Sequence, residues 1–102
     1  MDVFEKMLGL LAKALSDPLS RKGAVEEFLK CYFENQLLIK RSIRLEAYDI
    51  LADLNHDLHF FVADPGRRAE DPSYYGDERL EEEVGTALRR LSQLGNTIPK
   101  SP

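Results

Sequence analysis

Residues 42–62 read SIRLEAYDILADLNHDLHFFV, and this stretch decides the fold. At about 100° per residue, Ala47, Leu51, Leu54, Leu58 and Phe61 fall on one side of a helix, and Glu46, Asp49, Asp53 and Asp57 line the opposite side. A segment apolar along one face and acidic along the other must bury the apolar face against other elements. The spacing therefore predicts a helix over 42–62 and neighbours that carry matching stripes.

Such neighbours are present on both sides. Phe4, Met7, Leu8, Leu11, Ala14 and Leu15 recur at three-and-four spacing in a helix that stops at Asp17-Pro18. A second helix is expected to start near Gly23 as N-cap, with Glu26 three residues on answering the free amides, and to turn Val25, Phe28, Leu29, Cys31 and Tyr32 inward. Its exit is expected around Asn35-Gln36. Towards the C-terminus, Asp77 is the expected N-cap of a fourth helix, with Glu78 and Glu81 in a first turn where the helix dipole favours anions. Leu80, Val84, Ala87, Leu88, Leu91 and Leu94 form its stripe, and Gly95 stops it. Four amphipathic helices without strand-like alternation give an all-α fold, an antiparallel four-helix bundle occupying 1–95 as one domain. The tail 96–102 is expected to be flexible. The connection 63–76, rich in Pro and Gly, is longer than a bundle needs, and loops of that length tend to carry function.

Composition narrows the class. At 102 residues the chain holds one modest core, and 43% hydrophobic with 31% charged residues reads as globular rather than disordered. A net charge of -4 argues against direct binding to nucleic acid, which calls for a basic face. The single cysteine, Cys31, allows neither an internal disulfide nor a cysteine-based zinc site, and a reducing cytoplasmic home fits it best. Met1-Asp2-Val3-Phe4-Glu5 is no basic-then-apolar leader, and no apolar run approaches the ~18 residues of a membrane span.

Catalytic chemistry has no foothold in the sequence: it contains no Gly-rich phosphate loop, no metal-ligand spacing and no nucleophile set. No enzyme activity, cofactor or metal is expected. His56 and His59, with Asp53, could share a metal only with further ligands, and on a wet helix face they read as ordinary surface residues. Cys31 lies on an apolar face and reads as core. Phe28, Tyr32, Phe33, Phe60 and Phe61 follow helical spacing and also read as core.

Charge is the remaining signal. Between Asp64 and Glu83 eight carboxylates face three guanidiniums, a local charge of -5. A charged helix face is usually only solvated, and Glu82 and Glu83 are read that way. The acidic side of 42–62, the loop and the start of the last helix would nevertheless merge into one negative surface if those helices are neighbours. Such a surface speeds encounter with a basic partner and weakens with salt. Tyr74 and Tyr75, rigid side chains with polar tips inside the acidic loop, are the expected anchors. The expected partner-binding residues are Asp53, Asp57, Asp64, Glu70, Asp71, Tyr74, Tyr75, Asp77, Glu78 and Glu81. Reversing Asp71 and Asp77 to lysine is expected to slow association and leave thermal stability nearly unchanged.

Gly23-Ala-Val-Glu-Glu-Phe28, Asp64-Pro65 followed by Arg67-Arg68, and Tyr75-Gly-Asp-Glu-Arg-Leu-Glu-Glu-Glu-Val84 resemble the colicin D-type immunity proteins, small bacterial inhibitors of a tRNA-cleaving toxin, over roughly residues 8–94. The resemblance implies a four-helix bundle whose acidic surface imitates tRNA phosphates and covers the basic cleft of a cognate toxin nuclease domain, one to one. By position it implies Asp64, Glu70, Asp71, Asp77 and Glu78 as the mimetic carboxylates. Two alternatives stand beside it. One is a helical interaction or regulatory subunit that docks through an apolar surface, with charges serving solubility. The other is a DNase-type colicin immunity protein, in which Tyr74-Tyr75 would correspond loosely to an aromatic pair on a short helix.

Overall fold

The computed structural model describes residues 3–62 and 64–95, and the expected flexible tail 96–102 lies outside them. Five helices make up these residues, α1 (Val3–Ser16), α2 (Arg21–Ser42), α3 (Leu45–Leu58), α4 (Pro65–Arg68) and α5 (Asp77–Leu94), and the only extended pairing among them is one isolated bridge. The fold is all-α and compatible with a helical bundle. The four long helices touch in a closed ring, α1 with α2, α2 with α3, α3 with α5 and α5 with α1, and neither diagonal pair comes into backbone contact. The principal extents, 49 × 23 × 23 Å, describe an elongated body.

The stripes read from sequence fill the centre of that ring. Met7, Leu11 and Ala14 from α1 meet Ala24, Val25 and Phe28 from α2, Ala47, Leu51, Leu54 and Leu58 from α3, and Leu80, Val84, Ala87 and Leu91 from α5. Burial of this kind stabilises by about 25 cal/mol per Å² of apolar surface and outweighs any single propensity along the helices.

Boundaries differ from the sequence expectation in four places. First, α2 begins at Arg21 rather than beyond Gly23. The turn before it is closed by Asp17, whose carboxylate accepts from the Leu19 amide at 3.1 Å and the Ser20 hydroxyl at 2.8 Å. The Ser20 hydroxyl holds the Asp17 carboxyl below the usual carboxylate range. Second, α2 does not leave at Asn35-Gln36 but kinks there: Asn35 has non-helical angles (φ -120, ψ 18), and its side-chain amide donates to the Cys31 carbonyl at 2.9 Å. The helix then resumes because Ile39 and Ile43 are buried. Third, Ile43 and Arg44 are extended, so α3 starts only at Leu45.

The fourth departure lies at the other end of α3, which stops at Leu58 instead of reaching 62. Phe60 and Phe61 turn back onto the Asp57 and Leu58 carbonyls. The backbone then pairs with the loop: the Tyr75 amide donates to the Phe60 carbonyl at 3.0 Å and the Val62 amide to the Tyr75 carbonyl at 2.9 Å. Phe61, expected on the core face of a helix, therefore sits in this bridge and is only half-buried. The intervening segment also contains α4, one turn with Pro65 at its start and the Asp64 carboxylate accepting from the Gly66 amide at 3.0 Å. At the far end Gly95 closes α5 with φ 53, as its position in the sequence suggested.

Candidate acidic interaction surface

The acidic start of α5 is organised by a cation the sequence reading passed over. Arg21 is the one buried charged residue among those described, 2% exposed. Its Nε donates to the Ala14 carbonyl at 2.6 Å and its Nη2 to the Leu15 carbonyl at 3.1 Å, both in the last turn of α1. The same guanidinium reaches Asp77 at 3.0 Å and Glu81 at 3.1 Å, in the first turns of α5. It therefore completes the carbonyl end of one helix and neutralises acids at the amide end of another. Asp77, expected as an N-cap, makes no capping bond. Gly76 holds the cap position, and the Asp77 carboxylate is turned to Arg21. Reversing Asp77 would set a cation against this guanidinium, so the expectation of unchanged stability does not hold at that residue. The signal in sequence was an arginine directly behind the Asp17–Ser20 turn.

Tyr75 is likewise spent on the fold. It is 7% exposed, its hydroxyl donates to the Asp57 carbonyl at 2.8 Å, and its ring lies between Phe61, 6.1 Å away, and the Arg79 guanidinium, 4.8 Å away. Burial, then the charges of Asp57 and Glu83, push its phenol up from the ordinary value. Tyr75 is thus a buried pin for the loop rather than a surface anchor. Tyr74 is half-buried on the wall of a cleft of about 350 Å³ between α2 and the end of α3, together with Lys22, Leu29, His59, Phe61 and Arg67.

One pair of acids from α3 and α5, Asp57 and Glu83, comes together. Burial and the nearby Asp57 carboxyl raise the pKa of Glu83 above the ordinary carboxylate value, and Arg79, 3.8 Å from Glu83, offsets only part of this. Glu83 was read as a solvated residue, yet it faces an acid on the neighbouring helix. Asp53, Glu70 and Glu78 are exposed. Asp71 and Asp64 each accept a backbone amide two residues ahead, so these two shape the loop as well as charge it. Arg68 from α4 folds over Gly76, occupying the space where a Cβ would stand, and places a cation beside Glu78 and Glu82. Three arginines thus stand among these acids: Arg21 against Asp77 and Glu81, Arg79 near Glu83, and Arg68 in a recess it lines with Glu78 and Glu82.

His56 and His59 separate: the first packs edge-on to Phe60 at 5.6 Å, the second lines the cleft. No group of three or more His, Cys, Asp or Glu among the described residues is placed to hold a metal ion. Between α2 and α3, Tyr32 donates to the Tyr48 hydroxyl at 3.2 Å; burial and this bond raise the Tyr32 phenol, and accepting the bond lowers that of Tyr48. None of the described helices is long and apolar enough to cross a membrane.

Comparison with protein-family models, with curated proteins and with solved structures finds no match to this chain.

Proposed function

We propose that this chain is an immunity-type inhibitor. It binds the nuclease domain of a cognate bacterial toxin one to one, in the cytoplasm, and covers its basic active-site cleft with the acidic side formed by α3, the 64–76 loop and α5. In this reading the long helices alternate in direction as an antiparallel four-helix bundle, and the toxin is a tRNase, as the resemblance to colicin D-type immunity proteins implies. The observation that carries the proposal is the packing of α3 against α5, which brings the Asp57 carboxyl beside Glu83. Two carboxyls side by side on neighbouring helices offer an incoming cation a shared counter-charge. A nuclease cleft that attracts a polyanion also attracts this face, and the encounter is steered over roughly a Debye length, about 10 Å at 0.1 M salt. Co-expression with the toxin encoded beside the gene should relieve that toxin's growth arrest. An adjacent reading frame that encodes no toxin, or arrest that persists, refutes the reading.

A second reading has its own observation: Phe33, Leu37, Leu38 and Leu45 are large, apolar and more than half exposed. A helical interaction subunit would dock through them, and its binding would tolerate salt. The DNase-type alternative draws little support, since Tyr75 is buried and cannot form half of an exposed aromatic pair.

A further inference from the structure

Where α2 packs on α3, the Tyr48 hydroxyl accepts two hydrogen bonds, from the Tyr32 hydroxyl at 3.2 Å and from the Gln36 side-chain amide at 3.3 Å. No other hydroxyl or thiol among the described residues accepts two. With its oxygen receiving both donors, Tyr48 makes no bond through its own proton within the described chain, and that proton is left to water. Lys40, also from α2, holds its ammonium 5.9 Å from the centre of the Tyr48 ring. Two donors and a cation favour the phenolate. Burial and the neighbouring Asp49 oppose them only in part, so Tyr48 ionises below the ordinary phenol value. Tyr32 and Tyr75 are pushed the other way by burial. The phenolate is the nucleophilic form, and a lowered pKa raises its share at neutral pH faster than it lowers its intrinsic reactivity. Tyr48 is half-buried and Gln36 exposed, so a small reagent can reach the oxygen.

We propose that Tyr48 is a modification site, a nucleophilic phenol that takes an acyl group from an acyl phosphate. The Tyr48 oxygen forms an ester bond to the carbonyl carbon of the donor. The bond from that carbon to the phosphate oxygen breaks with its electron pair, inorganic phosphate leaves, and the phenol proton passes to water. Tyr32 and Gln36 hold the oxygen in its reactive form, and Lys40 meets the phosphate as the donor docks and departs. That cation selects an acyl phosphate over an uncharged acyl donor. The inference does not rest on the inhibitor reading.

Incubation of the full chain with acetyl phosphate at neutral pH, followed by peptide mass mapping, tests it. The expected result is acetylation of Tyr48 ahead of Tyr32, Tyr74 and Tyr75, and faster than that of N-acetyltyrosinamide in the same tube. Hydroxylamine should remove the group, as it does a phenyl ester and does not a lysine amide. Gln36→Leu and Tyr32→Phe each withdraw one donor and should slow the reaction about two- to threefold. Lys40→Gln should slow acetyl phosphate by more than it slows the uncharged reagent N-acetylimidazole, which separates docking of the anion from activation of the phenol. Gln36 and Lys40 are exposed, so circular dichroism of those variants should be unchanged. Tyr48 reacting no faster than N-acetyltyrosinamide overturns the proposal. A rate unmoved by Gln36→Leu and Tyr32→Phe, or a Lys40→Gln chain that treats the two reagents alike, overturns it as well. Toxin inhibition by the Gln36→Leu variant should be unaltered, which separates this proposal from the preceding one.

Discussion

Arg21→Met removes a guanidinium and leaves a side chain of similar length in its place. Two hydrogen bonds to the last turn of α1 are lost, at 2.6 and 3.1 Å, and bonds from a charged donor contribute about 1.5–3 kcal/mol each before desolvation is counted. The two ion pairs add little, because Asp77 and Glu81 are 64% and 52% exposed and water takes over as their partner. Relief of the buried charge returns part of the loss, and a net destabilisation of about 2 kcal/mol remains. For a domain of this size that lowers Tm by about 10–15 °C. Asp77→Ala with Glu81→Ala is the sharper arm. Both residues are exposed, yet their removal strands a cation that is 2% exposed, supported only by helix carbonyls, and should cost about 3 kcal/mol. Adding Arg21→Met to that pair should then stabilise rather than destabilise. Urea unfolding followed by far-UV circular dichroism measures all three variants. Arg21→Met within about 0.5 kcal/mol of the parent, or strictly additive costs, would refute the account of Arg21 as the node joining α1, α2 and α5.

Glu83→Gln should raise stability at neutral pH. The folded pKa of Glu83 lies above its unfolded value, so the stability linked to its proton is full at low pH and is lost as pH rises through the folded value. The gain should vanish in melts taken below the ordinary carboxylate range, where Glu83 is protonated folded and unfolded alike. Tyr75→Phe should cost about 1 kcal/mol for the bond to the Asp57 carbonyl, whereas Tyr75→Ala, which empties the space between Phe61 and Arg79, should cost about 3 kcal/mol. Hydrogen exchange at the Val62 amide, bonded to the Tyr75 carbonyl, should quicken in the alanine variant and stay slow in the phenylalanine one.

Helix faces were legible because burial is written in the 3.6-residue period: Ala47, Leu51, Leu54 and Leu58 are all buried, as are Leu80, Val84 and Ala87. Gly95 was legible because a positive φ favours glycine. Arg21 was not, since an arginine is buried only when carbonyls and carboxylates distant in sequence converge on it, and Asp77 is fifty-six residues away. The kink in α2 was read as an exit around Asn35-Gln36, which the sequence marks poorly, and the Asn35 side chain bonds the Cys31 carbonyl there. Tyr75 read as an interface anchor because it lies in the acidic loop, and only its pairing with Phe60 and Val62 draws it inward. At the site, the charge excess was legible, but the Asp57 and Glu83 juxtaposition depends on α3 and α5 being neighbours, which local spacing cannot specify.

The central claim is that the acidic side of α3 and α5 exists to meet a basic protein. Stopped-flow association of the chain with the proposed partner, a toxin nuclease domain, followed across ionic strength, tests it most directly. Asp53→Lys with Glu70→Lys is the matching variant, because both side chains are exposed and neither side chain takes part in a described bond or ion pair. The expected result is a rate constant approaching about 10⁸ M⁻¹s⁻¹ at low salt that falls at least about tenfold as salt rises, and falls similarly in the variant, whose melting temperature is unchanged. A rate indifferent to both salt and the reversals would contradict the account.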